Sequence, residues 1–362
     1  MTAHDLIEVP VSIPGCACRV LAGSGLLART GELCQATGLR GSCAVITDGN
    51  VSRLHAMPVL DSLRAAGYEP HLFEVPPGES SKSLSVAEGL VDRMLAAGLD
   101  RGSFIVALGG GVVGDLAGFV AAIYQRGIPF VQIPTTIVAQ VDSSIGGKTG
   151  VNARAGKNLI GAFHQPRLVL ADTCTLATLP EREYREGFAE VIKHAAIRDA
   201  AMLDELDPAA VRESLGPLVA RNIAIKAAIV AEDEKEHTGT RALLNFGHTI
   251  GHAIENVAGY GEFLHGEAIS IGLAAALVVS QRKAGLSPQE VDRICEKLQA
   301  FGLPVSMPSS LDSDALLAAM RHDKKFSAGQ IRFVVVPRLG KATVADDISE
   351  KDLREAIDAI RA

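Results

Sequence analysis

No two of the six cysteines (Cys16, Cys18, Cys34, Cys43, Cys174, Cys295) stand at CxxC spacing, and their scatter suggests no disulfide framework. They read as reduced, mostly buried thiols of a cytoplasmic protein. Positive charge is also in short supply: 35 Lys and Arg against 42 Asp and Glu leave a formal net charge of −7. That balance argues against a nucleic-acid-binding surface while leaving room for a local basic pocket. No apolar run reaches bilayer length, the longest being Ala268–Ser280, so no membrane span is expected. The opening residues Met1-Thr2-Ala3-His4-Asp5 lack the cationic-then-apolar order of a signal peptide, which adds to the cytoplasmic expectation. Repeats and low-complexity linkers are missing too. What is present, 48% hydrophobic and 21% charged residues over 362 positions, is a globular composition of two-domain length.

The first half alternates apolar runs with helix-like stretches. Strands are predicted at Ile7–Val11, Ala44–Asp48, His71–Val75, Phe104–Leu108, Phe130–Pro134 and Leu168–Ala171; several are continuous apolar runs ending at Gly, Asp or Pro, as buried parallel strands do. Between them, Ser24–Gly38, Val51–Gly67, Ser83–Gly98 and Gly114–Gln125 carry helical spacing of Leu, Val and Ala. Beyond Ala177 the strand signal fades into helices at Glu183–Ile197, Val211–Glu232, Leu244–Ala258, Glu267–Gly285, Pro288–Phe301 and Ser313–Met320. A late strand, Ile331–Pro337, and a helix, Glu350–Arg361, close the chain. The expected architecture is an N-terminal α/β nucleotide-binding domain (1–176), Rossmann-like with a mostly parallel sheet, and a mainly α-helical C-terminal metal- and substrate-binding domain (177–362), with the cleft between them.

Phe104–Leu108 runs into Gly109-Gly110-Gly111-Val112-Val113-Gly114-Asp115 and an apolar helix. Gly109, Gly111 and Gly114 satisfy GxGxxG in the strand–turn–helix context that lets backbone N–H groups face a pyrophosphate. No acid follows about 20 residues later at a strand end, as the dinucleotide fingerprint would want. The turn alone therefore suits either a dinucleotide or a plain tight turn. Asp48-Gly49-Asn50 offers a carboxylate for a ribose, or simply an Asp-Gly turn. Asp142-Ser143-Ser144-Ile145-Gly146-Gly147-Lys148-Thr149 invites a P-loop reading, which fails because position 142 is Asp where that motif needs Gly. What remains is Lys148 in a glycine-flanked loop, Lys157-Asn158 further on and Arg126 upstream, cations suited to a phosphorylated, carboxylated substrate.

Asn245-Phe246-Gly247-His248-Thr249-Ile250-Gly251-His252 places histidines at i and i+4 on one helix face, His265 follows in Leu264-His265-Gly266-Glu267, and Glu190 interrupts an otherwise apolar helix. One such histidine alone would more often be structural. Three on glycine-punctuated segments, with a carboxylate, favour a catalytic divalent metal with an open position.

These stretches resemble the 3-dehydroquinate synthase family of sugar-phosphate cyclases. The resemblance runs through Gly110–Asp115, Pro134–Thr136, Val141–Ser144, Lys148–Asn152, Gly156–Asn158, Ala189–Lys193, Asn245–Thr249, Gly251–Ala253 and Leu264–Glu267, from about Ala44 to Arg338. It implies an NAD that is reduced and reoxidised within one turnover, and 3-deoxy-D-arabino-heptulosonate 7-phosphate as substrate. Carried over by position, Glu190, His248 and His265 would hold zinc or cobalt. Asp48, Asn50, Glu79, Lys82, Gly110, Gly111, Val112, Asp115, Thr135, Thr136, Lys148, Lys157, Thr175, Leu176, Ala177 and Thr178 would surround NAD. Arg126, Asp142, Lys148, Asn158, Lys193, Lys226, Arg241, Asn245 and Lys324 would bind substrate. Glu236 and His252 match proton-transfer positions and, with Lys148 and Lys157, make up the catalytic set. Four residues, His237–Thr240, separate Glu236 from Arg241, one more than the family pattern. The family also implies a homodimer. The rival readings are sister cyclases making 2-epi-5-epi-valiolone or 2-deoxy-scyllo-inosose, an iron-type polyol dehydrogenase, which would not need the cation cluster, and a non-catalytic nucleotide-binding protein, which would need neither metal ligands nor lysines.

Overall fold

A computed structural model describes residues 6–13, 17–154, 156–259, 261–321, 326–327 and 330–362. The chain divides into two compact units, Met1–Pro180 with Ser214–Lys235, and Glu181–Glu213 with Glu236–Ala362.

The first unit holds β1 (Ile7–Val9), β2 (Arg19–Gly23), β3 (Ser42–Asp48), β4 (Glu69–Val75), β5 (Phe104–Gly109), β6 (Phe130–Pro134), the strand pair β7 (Lys148–Ala153) and β8 (Gly156–Phe163), and β9 (Leu168–Asp172). Seven of them form one sheet in the order β1-β2-β9-β6-β5-β3-β4, parallel except where β1 runs antiparallel to β2. The continuous apolar runs are the central strands: every residue of β5, β6 and β9 is buried. Along β3 and β5 the side chains alternate between two cores. Cys43, Val45, Phe104 and Val106 meet Leu33, Leu60 and Leu63 from helices Thr30–Ala36 and Met57–Ala65. Ala44, Ile46 and Ile105 meet Leu90 and Leu116 from helices Leu84–Ala96 and Gly111–Ile123. Helices on both faces are what a parallel sheet requires. From β3 the chain first adds β4 on one side and then β5 on the other. The crevice beyond the carboxyl ends of β3 and β5 is therefore a topological switch point, where such sheets bind ligands.

Strands and one helix depart from the sequence reading. β2 and the β7–β8 hairpin are strands that the apolar pattern does not announce. Helix Leu215–Glu232, assigned by sequence to the second domain, packs on β1 and β2 and belongs to the first unit. Its buried face includes Val219, Ile223, Ala227 and Val230, and helical periodicity states that a face is buried without stating which core receives it.

The second unit is built of helices Phe188–Arg198, His248–Ala258, His265–Ala284, Pro288–Ala300, Ser313–Arg321 and Glu350–Ala359, with an antiparallel sheet of β10 (Phe326–Ser327), β11 (Gln330–Arg338) and β12 (Lys341–Ile348). The long apolar run is the buried middle of His265–Ala284, and among the described residues no helix is long and apolar enough to cross a membrane. This helix crosses His248–Ala258 at backbone distance: a Cβ on Gly272 would sit 2.2 Å from the Gly247 carbonyl oxygen and 2.8 Å from the Gly251 nitrogen. Gly272→Ala should therefore lower the unfolding free energy by about 1–3 kcal/mol through overpacking. Urea denaturation measures it, and an unchanged midpoint would contradict the close crossing.

Candidate functional site

In the first unit, β5 ends at Gly109, and Gly110 opens helix Gly111–Ile123 with no side-chain cap. Uncapped first-turn N–H groups are an anion site in waiting. A Cβ on Gly114 would stand 2.6 Å from Oε1 of Gln132 on β6, which is why the third glycine of the motif is there. Thr135 N–H donates to the Gly109 carbonyl at 3.0 Å and Thr136 Oγ1 accepts from Ala139 N–H at 3.1 Å, so both threonines lie at the end of β6 beside the glycine turn. Across the switch point, Asp48 ends β3. Its Oδ1 accepts from the N–H groups of Asn50 (2.8 Å) and Val51 (3.1 Å), an N-cap that fixes the carboxylate at the edge of the crevice.

Glu79, Lys82 and Asp115 gather beside the same turn. Lys82, buried, pairs with Asp115 at 2.5 Å, and Glu79 accepts from Asn152 Nδ2 at 2.8 Å. Burial pushes the Asp115 carboxyl up, against the Lys82 ammonium that draws it down. Thr175, Leu176, Ala177 and Thr178 lie on the short 3₁₀ turn after β9. Gln140, a residue the sequence reading overlooked, ties that turn to β6: its Nε2 donates to the carbonyls of Pro134 (3.1 Å) and Asp172 (2.9 Å) and to Thr175 Oγ1 (3.2 Å). A buried glutamine next to Val141-Asp142 was the available signal.

Lys148 is not on a loop. It opens β7, exposed, in register with Phe163, whereas Lys157 lies near the turn where Ala153 pairs with Gly156. The hairpin therefore does not bring the two lysines together: Lys148 stands at its open end and Lys157 at its tip. There Asn158 N–H donates to Asn152 Oδ1 (2.9 Å), joining the tip to the Glu79–Lys82 group. Asp142 pairs with the buried Lys226, Nζ to Oδ1 at 2.9 Å, and the same ammonium donates to the Asp142 carbonyl at 2.6 Å. The helix Leu215–Glu232 thus brings its lysine to the first unit's residues.

Two independent features single out predicted site residues. Among the described residues, the buried lysines and arginines are Lys82, Lys193, Lys226 and Arg241, all of them candidates. Buried cations are rare because desolvation must be answered by a partner or a ligand. Among the described residues, the non-glycine residues with left-handed φ are Gln125 (51°), Arg126 (69°), Asn158 (57°) and Glu236 (60°), and three of these are candidates as well. Such backbone costs about 1–3 kcal/mol per residue and clusters at functional sites.

In the second unit, Glu190, His248 and His265 converge. Glu190 is fully buried on helix Phe188–Arg198, and its Oε1 lies 3.4 Å from His248 Nε2 and 3.8 Å from His265 Nε2. Lys193, one turn on, pairs with its other oxygen. One ligand atom from each of Glu190, His248 and His265 falls within 4.8 Å of the others. The outer nitrogens are engaged: His248 Nδ1 with the Phe246 carbonyl at 3.2 Å, His265 Nδ1 with Glu255 Oε2 at 3.5 Å. That leaves both Nε2 atoms turned toward one buried carboxylate. Burial works against a charged His265 ring, but the carboxylates of Glu255, Glu190 and Glu186 outweigh it and push its pKa up to about 9. A donor set of two imidazoles and a carboxylate, in a local excess of negative charge, fits a divalent cation. His252, exposed, has its ring 5.2 Å from that of His248. Asn245 and Arg241 lie on the 3₁₀ turn Thr240–Asn245 just before. Glu236 is exposed on the preceding loop. Lys324 lies outside the described residues.

Fold and site define a class: proteins that join a Rossmann-like α/β unit, with an open glycine turn at its switch point, to a helical unit carrying a Glu–His–His cluster. Sequence profiles narrow it. The 3-dehydroquinate synthase N-terminal family matches residues 72–186 and the 3-dehydroquinate synthase C-terminal family residues 187–326. The chain is 49% identical to the 3-dehydroquinate synthase of Caulobacter vibrioides over 359 residues, 96% of each protein. Among solved structures it is similar to 2-epi-5-epi-valiolone synthase from Streptomyces hygroscopicus subsp. jinggangensis 5008 with NAD+ and Zn2+ bound (TM-score 0.86, 30% identity, 99% of both chains). It is equally similar to a 2-deoxy-scyllo-inosose synthase complexed with carbaglucose-6-phosphate, NAD+ and Co2+ (TM-score 0.86, 26% identity, 98% and 99% covered). The chain belongs to the 3-dehydroquinate synthase family.

Proposed function

We infer that the chain is a carbon–oxygen lyase converting 3-deoxy-D-arabino-heptulosonate 7-phosphate to 3-dehydroquinate and phosphate, a step of the shikimate pathway toward aromatic amino acids. The observation that carries this reading is the Glu190–His248–His265 cluster with the buried Lys193 beside it, in a member of that family. A metal position next to a buried ammonium suits a polyhydroxylated anion better than an uncharged polyol. Glu190, His248 and His265 would hold one zinc or cobalt ion, which supplies Lewis-acid polarisation of substrate hydroxyl oxygens. NAD would occupy the crevice between Asp48 and Gly110–Gly111, supplying oxidation and later re-reduction of one substrate carbon. That the similar cyclase structures hold NAD+ with Zn2+ or Co2+ supports both assignments.

The chain's own residues bind, orient and move protons. Arg126 and Lys148 bring positive charge to the substrate's phosphate and carboxylate, with Asn158, Arg241, Asn245 and Lys324 orienting them. Lys157, at the hairpin tip near Glu79, belongs to the nucleotide side. Lys226 fixes Asp142. A ketone at the oxidised carbon acidifies the neighbouring C–H, and phosphate then departs toward the cations. Glu236 and a ring nitrogen of His252 carry the protons for this elimination and for the later ring opening. The closing intramolecular aldol step needs little beyond orientation. The domains we propose are the nucleotide unit ending near residue 176 and the metal- and substrate-binding remainder, except that helix Leu215–Glu232 serves the former. The working form we propose is a cytoplasmic homodimer.

The test mixes enzyme, a trace of NAD and excess heptulosonate phosphate, and follows phosphate and NADH absorbance together. Many phosphates should be released per NAD, with a cyclic ketone product and NADH never above a fraction of the enzyme sites. NADH rising in step with product would make the protein a dehydrogenase. Phosphate released only from a different sugar phosphate would make it a sister cyclase.

A further inference from the structure

His265 is the first residue of helix His265–Ala284, where N–H groups lack intrahelical partners and the chain is prone to fray. Side chains outside the ligand set hold it. Glu267 Oε2 accepts from Leu264 N–H at 2.8 Å, and Arg182 grips both oxygens of Glu267 at 2.7 and 2.8 Å. Glu186 Oε2 accepts from Gly266 N–H at 2.5 Å, and its own carbonyl would lie 1.9 Å from a Cβ at 266. The ring is held separately, by Glu255 Oε2 at 3.5 Å from Nδ1. Glu255 stands three residues after His252 and seven after His248, on the same face of helix His248–Ala258. It is 8% exposed, and a carboxylate so buried must be answered by a donor or a charge.

We propose that Glu255 is a positioning residue for His265 as a metal ligand. The inference rests on the reading of Glu190, His248 and His265 as the metal site. By holding the proton on Nδ1, Glu255 leaves Nε2 as the donor atom, fixes the ring plane and makes the imidazole a stronger base. His248 has a neutral backbone carbonyl in the equivalent place, so the two imidazoles differ in donor strength. Glu255 could instead ligate a second ion together with His252 and His265. That arrangement would force one imidazole to bridge two cations through both nitrogens, with loss of its ring proton. The arrangement with Glu255 paired to the Nδ1 side of the ring needs no such step.

The experiment measures zinc affinity by competition with a chromophoric chelator on the full chain, for wild type, Glu255→Ala, Glu255→Gln and Glu255→Asp. Cobalt absorption spectra and thermal unfolding of the metal-free proteins accompany it. Wild type should bind one ion, and Glu255→Ala and Glu255→Gln should bind about 10–100-fold more weakly with an altered cobalt spectrum. Glu255→Asp should recover part of the loss, both of affinity and of whatever metal-free stability the Glu255–His265 pair supplies. Wild-type affinity and spectrum in Glu255→Ala overturn the proposal. So does a parallel loss of metal-free stability without recovery in Glu255→Asp, which marks a structural role. Two ions in wild type and one in Glu255→Ala make Glu255 a ligand, and also overturn it. Should wild type bind no better than His248→Ala, the metal reading itself falls, and this inference with it.

Discussion

Dialysis against a strong chelator should abolish turnover, and zinc or cobalt should restore it. Chelation is the cleanest probe, because the obvious variant is compromised. Glu190 and Lys193 form an ion pair with side chains 0% and 1% exposed. Removing the carboxylate breaks this buried ion pair, which costs about 3–5 kcal/mol whatever the metal does. His248→Ala is the better substitution: its outer contact is to a backbone carbonyl, and the Glu190–Lys193 pair stays intact. Activity in that variant should fall by orders of magnitude while the chain stays folded. Full turnover from protein shown metal-free by elemental analysis would remove the metal from the reaction.

Lys148→Ala should reduce kcat/KM by about 10²–10³-fold, the effect of deleting one charge-stabilising donor in other enzymes. Its stability should remain within about 0.5 kcal/mol of wild type, as for exposed positions generally. The contrast with its neighbours gives the prediction its force. Lys82 and Lys226 are buried and paired with Asp115 and Asp142, so truncating either confounds folding with chemistry. Lys148 is exposed at the start of β7, and the hairpin's ladder is held by backbone pairing that a side-chain deletion does not touch. A folded Lys148→Ala protein with near wild-type kcat/KM would show that this lysine does not meet the reacting phosphate.

The central strands were legible because burial on both faces leaves a mark: β5, β6 and β9 are unbroken apolar runs. The β7–β8 hairpin was not, since its residues are half-exposed and rich in glycine, asparagine and lysine, and read as loop. β12 hid for a similar reason, its alternation blurred by Asp346 and Asp347 before the buried Ile348. Asp48 was legible as a turn residue, and the structure shows why: one of its oxygens caps the following helix.

The sequence by itself determined what local chemistry can encode. It carries the glycine turn between strand and helix, the i, i+4 histidines and the periodicity that makes a helix or a buried strand. Tertiary structure decided which residues separated in the chain share one place. It put Glu190 against His248 and His265, gave His265 a carboxylate from Glu255, and delivered Lys226 to Asp142 on a helix that joins the first unit. It also placed Lys148 and Lys157, nine residues apart in the chain, at opposite ends of one hairpin. The physical reason is that a residue's neighbours along the chain set its backbone conformation, whereas its electrostatic partners depend on which apolar faces pack together. A helix pattern names such a face without naming what will cover it.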